Sequence, residues 1–167
     1  GVFPVKCNQQ RHVVEELVIC GKRWNFGLEA GSKAELLIAL SLLDDPDALL
    51  ICNGYKDRLY IETAILARRL GRQPVVVIEQ PDEVDRIIEA SKSLGAAPYI
   101  GVRAKLSSRS TGRWGSSVGD KAKFGLSIPE LLATVERLRE SNLLPDLRLL
   151  HFHIGSQIND IAVLKDA

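Results

Sequence analysis

The sequence has no methionine, and only 5% of its 167 residues are aromatic. It opens Gly1-Val2-Phe3-Pro4-Val5, which reads as the middle of a strand, and stops at Asp166-Ala167 within a helix-like stretch. The chain is therefore expected to be an internal piece of a longer protein. Excess charge of either sign is also lacking: 22 Lys and Arg face 21 Asp and Glu, interspersed, for a net charge of +1. That leaves no electrostatic footprint for nucleic acid or for an anionic membrane surface. No apolar run approaches the ~18 residues of a spanning helix, and no signal-peptide pattern opens the chain. Cys7, Cys20 and Cys52 have neither metal-ligand nor redox spacing, so a reducing, cytoplasmic setting is expected. No G-x-G-x-x-G, P-loop or G-x-S-x-G elbow occurs, which removes the main support for dinucleotide-binding, NTPase and serine-hydrolase readings. What is present, 46% hydrophobic and 26% charged residues with 13 Gly and 7 Pro, is ordinary globular composition.

Short runs rich in Val, Ile and Leu alternate with amphipathic runs. The former are Val2–Cys7, Trp24–Leu28, Ala48–Cys52, Pro74–Ile78, Pro98–Val102 and Leu147–Phe152, and at this length they read as strands buried on both faces. Between them Arg11–Cys20, Lys33–Leu43, Arg58–Leu70, Glu83–Leu94 and Pro129–Glu140 carry apolar residues at helical spacing, and a sixth helix is expected to begin over Ile158–Asp166. Ser32 with Glu35 three residues on forms a candidate capping box, and Pro81-Asp82 opens another helix. Gly21, Gly71 and Gly95 stand where left-handed helix caps are wanted. Strict βα alternation predicts a parallel sheet, either doubly wound or a (β/α)8 barrel. Asn8-Gln9-Gln10 at the first turn is not a phosphate fingerprint, which favours the barrel. One segment breaks the rhythm: residues 104–124, rich in Ser and Gly around Trp114, read as a long loop after the fifth strand.

Each strand delivers one polar residue at its C-terminal end: Lys6, Glu29, Asn53, Glu79, Arg103 and His153. In a barrel these converge on the mouth, where such folds place their chemistry. Glu79 taken alone reads as a solvated or salt-bridged strand terminus. Lys6 is expected to face inward and to be partly buried. Two readings of it stand side by side. Near Arg103 it becomes a neutral amine able to attack a carbonyl; paired with Glu29 it has no chemistry. Alternation puts His151 and His153 on one side of their strand, with His151 a satisfied core histidine and His153 able to stack on a planar ligand. The following Gly155-Ser156 resembles an anion site. His12 lies on a helix and, like the cysteines, finds no catalytic partner.

Phe3-Pro4-Val5-Lys6-Cys7-Asn8-Gln9-Gln10 resembles the lysine motif of pyridoxal-phosphate decarboxylases of the alanine-racemase-like barrel type. The stretches around Glu29, Asn53, Arg103 and His153, with the Trp114-Gly115-Ser116-Ser117 loop, are similar to the biosynthetic arginine decarboxylase branch of that family. The resemblance implies a partial barrel of about six strands. It also implies that Lys6 binds the cofactor as a Schiff base, His153 stacks on its ring and Ser156 helps to hold its phosphate. Arg103 would lie near the ring hydroxyl and Glu29 near the lysine. It further implies decarboxylation of L-arginine to agmatine, with Mg2+ allowed by the family although the chain offers no site for it. The full-length protein would be a homo-oligomer whose later strands, β domain and second subunit complete the pocket; residues 1–167 alone are expected to be inactive, being about two-thirds of a barrel that typically needs ~250 residues. Decarboxylases of diaminopimelate, ornithine or carboxynorspermidine, a non-catalytic pyridoxal-phosphate carrier and a cofactor-free aldolase-type barrel are the alternatives.

Overall fold

The structure, a computed structural model, describes residues 1–106 and 123–154. Six strands, β1 (Val2–Pro4), β2 (Gly27–Ala30), β3 (Leu49–Cys52), β4 (Gln73–Ile78), β5 (Tyr99–Ala104) and β6 (Leu147–Phe152), form one sheet. Helices α1 (Arg11–Gly21), α2 (Lys33–Leu42), α3 (Arg58–Arg69), α4 (Glu83–Leu94) and α5 (Ile128–Glu140) connect them in turn. The spatial order is β1-β2-β3-β4-β5-β6, and every pair is parallel. A doubly wound sheet reverses its strand order at a switch point; this one never does. It is the wall of a partial (β/α)8 barrel, one of the two architectures that the alternation of elements predicts.

Period-two alternation sorts the strand residues into two cores. Leu28, Leu50, Val76, Ile78, Ile100 and Val102 face outward and share the main core with the helices. Ile51, Val75 and Val77 face inward and pack with Val2, Tyr99 and Leu149 in a smaller cluster inside the barrel. Each large aliphatic side chain buried this way contributes roughly 1.5–3 kcal/mol. Tyr60 of α3, also buried, donates its hydroxyl to the Ala30 carbonyl at 2.8 Å and so fixes that helix against β2.

The structure departs from expectation at several boundaries, each for a local reason. β1 stops at Pro4, which has no N–H for the ladder, and Val5–Cys7 coil into a 3-10 turn. The apolar run from Trp24 is not a strand at its start. Lys22–Trp24 form another 3-10 turn, Asn25 is left-handed at φ 52°, and pairing begins only at Gly27. For the same reason Gly21 is not a left-handed cap: its φ is −80° and Asn25 makes the reversal, whereas Gly71 and Gly95 are left-handed as expected. β6 is not buried on both faces. Arg148, Leu150 and Phe152 on its outer side are exposed, because no described helix covers that side of the edge strand. Within the expected loop, residues 107–122 lie outside the described residues, as does the expected helix at Ile158–Asp166. The flanks of that loop are held, however. Leu126 N donates to Arg103 O at 2.7 Å, and Lys105 N donates to Leu126 O at 2.9 Å.

The helix start after β2 is built as a half-box. Ser32 Oγ accepts from Glu35 N at 3.3 Å, but the Glu35 carboxylate reaches past Ser32 to accept from Gly31 N at 2.7 Å. Replacing Ser32 by Ala in the full-length protein is expected to cost about 1 kcal/mol, measured by chemical denaturation, with unchanged secondary structure by circular dichroism.

Candidate active site

The inward-facing positions one step beyond each row of core residues carry the polar groups. Glu29, Asn53, Glu79, Arg103 and His153 all lie in the inward register, and with Lys6 they line one cavity of about 1040 Å³ inside the barrel wall. Lys6 enters differently from the others. The 3-10 turn after Pro4 lifts it out of the ladder, so its side chain is exposed rather than partly buried, and no ion pair to Glu29 forms among the described residues. Arg103 sits within β5 rather than after it. Ser156 lies outside the described residues.

Glu29 is 7% exposed. Its Oε1 accepts from Asn53 Nδ2 at 3.1 Å, while its Oε2 has no hydrogen-bond partner among the described residues. Burial therefore raises the carboxyl above its ordinary range, and the Asn53 hydrogen bond and the Lys6 charge only partly oppose this. Burial, followed by the Arg103 cation, lowers both His151 and His153 below the ordinary histidine range, so both imidazoles are neutral at physiological pH. His151 does not read as a satisfied core residue: it lines the cavity, and its buried Nδ1 has no partner among the described residues.

Glu79 is a salt-bridged strand terminus, as one of its two expected readings has it, but it is not solvated. It is 2% exposed, and its two oxygens serve two strands. Oε1 pairs with Arg103 Nη1 at 2.5 Å, and Oε2 accepts from Gly54 N at 2.6 Å. Its backbone carbonyl accepts from Gly125 N at 2.9 Å, which ties the far flank of the long loop to the end of β4. Gly54 can serve here only as glycine. Its φ is +75°, and a Cβ would stand 2.2 Å from Gly31 O.

Sequence reasoning missed Lys56 and Glu83. Lys56 is fully buried, with Nζ 3.1 Å from Glu83 Oε1 and 3.7 Å from Glu79 Oε2. Lysine and glutamate a few residues beyond a strand end are ordinarily solvated, so burial of this pair had no signature in residue type. The only available signal was position, since Lys56 belongs to the Asn53-Gly54-Tyr55-Lys56-Asp57 stretch that follows β3. Among the described residues no three His, Cys, Asp or Glu side chains converge as a metal site, and no helix is long and apolar enough to cross a membrane.

A parallel barrel wall that gathers an amine, carboxylates, a guanidinium and imidazoles around one cavity defines the class: a partial (β/α)8 barrel with a polar site at its mouth. The chain belongs to the pyridoxal-dependent decarboxylase family, whose model for the pyridoxal binding domain matches residues 1–167. It is similar to the biosynthetic arginine decarboxylase of Parasynechococcus marenigrum (strain WH8102), at 99% identity over 167 residues, covering 100% of this chain and 26% of that relative. Among solved structures, biosynthetic arginine decarboxylase SpeA from Campylobacter jejuni superimposes with a TM-score of 0.86 at 40% identity, covering 99% of this chain and 26% of that one. A diaminopimelate decarboxylase variant from Helicobacter pylori complexed with L-lysine shares the fold, with a TM-score of 0.77 at 23% identity over 99% of this chain and 40% of that one. The chain thus spans only 26% of the length of the curated relative it matches so closely.

Pyridoxal phosphate fits the residues present. Three buried polar atoms of cavity residues, Glu29 Oε2, Asn53 Oδ1 and His151 Nδ1, lack protein partners among the described residues, as expected of groups that meet a polar ligand. Lys6 supplies an accessible amine beside them.

The elevated Glu29 carboxyl has a definite consequence for stability. A carboxyl whose folded-state pKa is raised contributes stability below its unfolded pKa and loses it as pH rises through the folded value. In the cofactor-free full-length protein, Glu29→Gln is therefore expected to raise the Tm near neutral pH relative to the parent. The advantage should shrink on acidification into the carboxylate range. Thermal melts of both proteins across that range check it; an advantage independent of pH would contradict the assignment.

Proposed function

We propose that the full-length protein decarboxylates L-arginine to agmatine and CO2 with pyridoxal phosphate held at this barrel mouth. The reading is supported above all by the exposed Lys6 amine beside the cavity that Glu29, Arg103 and His153 line. The arginine branch is supported by the name of the relative 99% identical to this chain. Because the chain spans 26% of that relative, the activity is assigned to the full-length enzyme.

When bound, pyridoxal phosphate supplies an electron sink for the pair left on Cα as CO2 departs. The protein residues do the rest. Lys6 Nζ, an amine at the cavity, would hold the cofactor covalently and would supply the proton that replaces the carboxylate at Cα. Neutral His153 offers a flat face for the cofactor ring, and its low proton affinity keeps positive charge off that face. Arg103, fixed by Glu79 at the cavity wall, would offer its guanidinium to the cofactor ring hydroxyl. Glu29 lines the cavity with Lys6, and the Lys6 charge partly offsets the burial that raises its carboxyl. By the family resemblance Ser156, outside the described residues, would help to hold the phosphate. A second subunit completes the substrate pocket, and the free thiols of Cys7, Cys20 and Cys52 fit a reducing cytoplasm.

Purified full-length protein loaded with pyridoxal phosphate is expected to release agmatine from L-arginine in preference to CO2 from ornithine, lysine or diaminopimelate, as measured by chromatography of the amine products. Lys6→Ala should abolish the visible absorbance of the covalently held cofactor and reduce turnover roughly 100-fold or more. Comparable turnover of diaminopimelate or ornithine would reassign the branch, and no turnover of any amino acid would leave a carrier.

A further inference from the structure

Lys56 and Glu83 are fully buried, Glu79 nearly so, and the mechanism above uses none of their charges directly. An unpaired lysine in such a place would cost several kcal/mol or lose its proton. Here it is surrounded by acceptors. Its Nζ donates to the Gly54 carbonyl, lies 3.1 Å from Glu83 Oε1 and stands 3.7 Å from Glu79 Oε2. The other Glu83 oxygen accepts from Glu79 N at 2.8 Å and from Gln80 N at 3.4 Å, while Glu83 Oε1 also takes Lys56 N at 3.3 Å. From outside, Arg86 donates to the Lys56 carbonyl at 2.9 Å and closes the segment over the cluster.

The direction of these contacts is informative. Two carboxylates and two cations, Glu79 and Glu83 with Lys56 and Arg103, form a line that runs from a dry interior at Lys56 to the cavity wall at Arg103. Glu79 is the shared member, and neither of its oxygens is free to turn without breaking a contact to Gly54 or Arg103. A lysine that only balanced charge would need one carboxylate. This one also grips the Gly54 carbonyl while Glu79 grips the Gly54 amide, so the Asn53–Gly54 turn is held from both sides. Asn53 in turn bonds Glu29.

We infer that Lys56 is a positioning residue for the cofactor site: its buried ammonium fixes Glu79 and the Asn53–Gly54 turn, and through Glu79 it sets where the Arg103 guanidinium stands at the cavity wall. The inference rests on the reading of the mouth as the pyridoxal-phosphate site.

The experiment is a cycle of cofactor affinities in the full-length protein, measured by absorbance titration with pyridoxal phosphate. Lys56→Met alone leaves an excess buried carboxylate and threatens folding, so the working variant is Lys56→Met/Glu83→Gln, which keeps the cluster neutral. It is compared with the parent, with Arg103→Met, and with the triple variant. The neutral pair should melt close to the parent yet bind the cofactor roughly tenfold more weakly, the scale of losing a group that orients a ligand-binding residue. Arg103→Met should weaken binding comparably, and the triple variant should lose less than the product of the two losses, because Lys56 acts in large part through Arg103. Parental affinity in the neutral pair, or losses that multiply in the triple variant, would overturn the inference. Lys6→Ala is run in parallel: if it keeps the covalent absorbance, the cofactor reading of the mouth falls, and the inference falls with it.

Discussion

The geometry of the mouth depends on one buried carboxylate. Glu79 stands at the end of β4 with almost no exposure, and through its two oxygens and its backbone it joins β5, the turn after β3 and the far flank of the long loop. A buried charge is tolerated only where its oxygens are fully engaged. Here that requirement becomes a construction rule. Once Glu79 must be satisfied, Arg103, Gly54 and Lys56 have little latitude, and three successive strands end at fixed heights around one cavity.

The cavity divides its polar groups into two kinds. Glu79, Glu83 and Lys56 are saturated with protein partners and make up the frame. Glu29, Asn53 and His151 each keep an atom unpartnered among the described residues. That division is what preorganisation requires: a rigid outer ring that does not compete with the ligand, and an inner ring that still has hydrogen bonds to give. The neutral imidazoles and the raised Glu29 carboxyl belong to the same economy, since burial suppresses charge wherever no partner answers it.

Much of this was legible in the residues. Alternation of Val-rich runs with amphipathic ones specified a parallel sheet, and the polar residue ending each run placed Glu29, Asn53, Glu79, Arg103 and His153 on one face before any coordinate was known. What escaped was set by tertiary context. The exposure of Lys6 follows from a 3-10 turn that Pro4 begins, and no periodicity encodes it. The start of β2 was hidden because Trp24 is apolar yet 62% exposed, covered on one face by the Arg23 guanidinium instead of by a core. Lys56 and Glu83 escaped because residue type argues for solvent, and only the folded arrangement shows them paired in the interior.

The sequential strand order carries a consequence for how the mouth is assembled. Its ties join residues nearly equidistant along the chain: Asn53 to Glu29 and Arg103 to Glu79 across 24 residues, and Gly54 to Glu79 across 25. Loop-closure entropy grows slowly with length, so ties of such similar span cost about the same to close. Each of these ties therefore joins a unit to the one beside it in the chain, and this stretch of the mouth is built stave against stave.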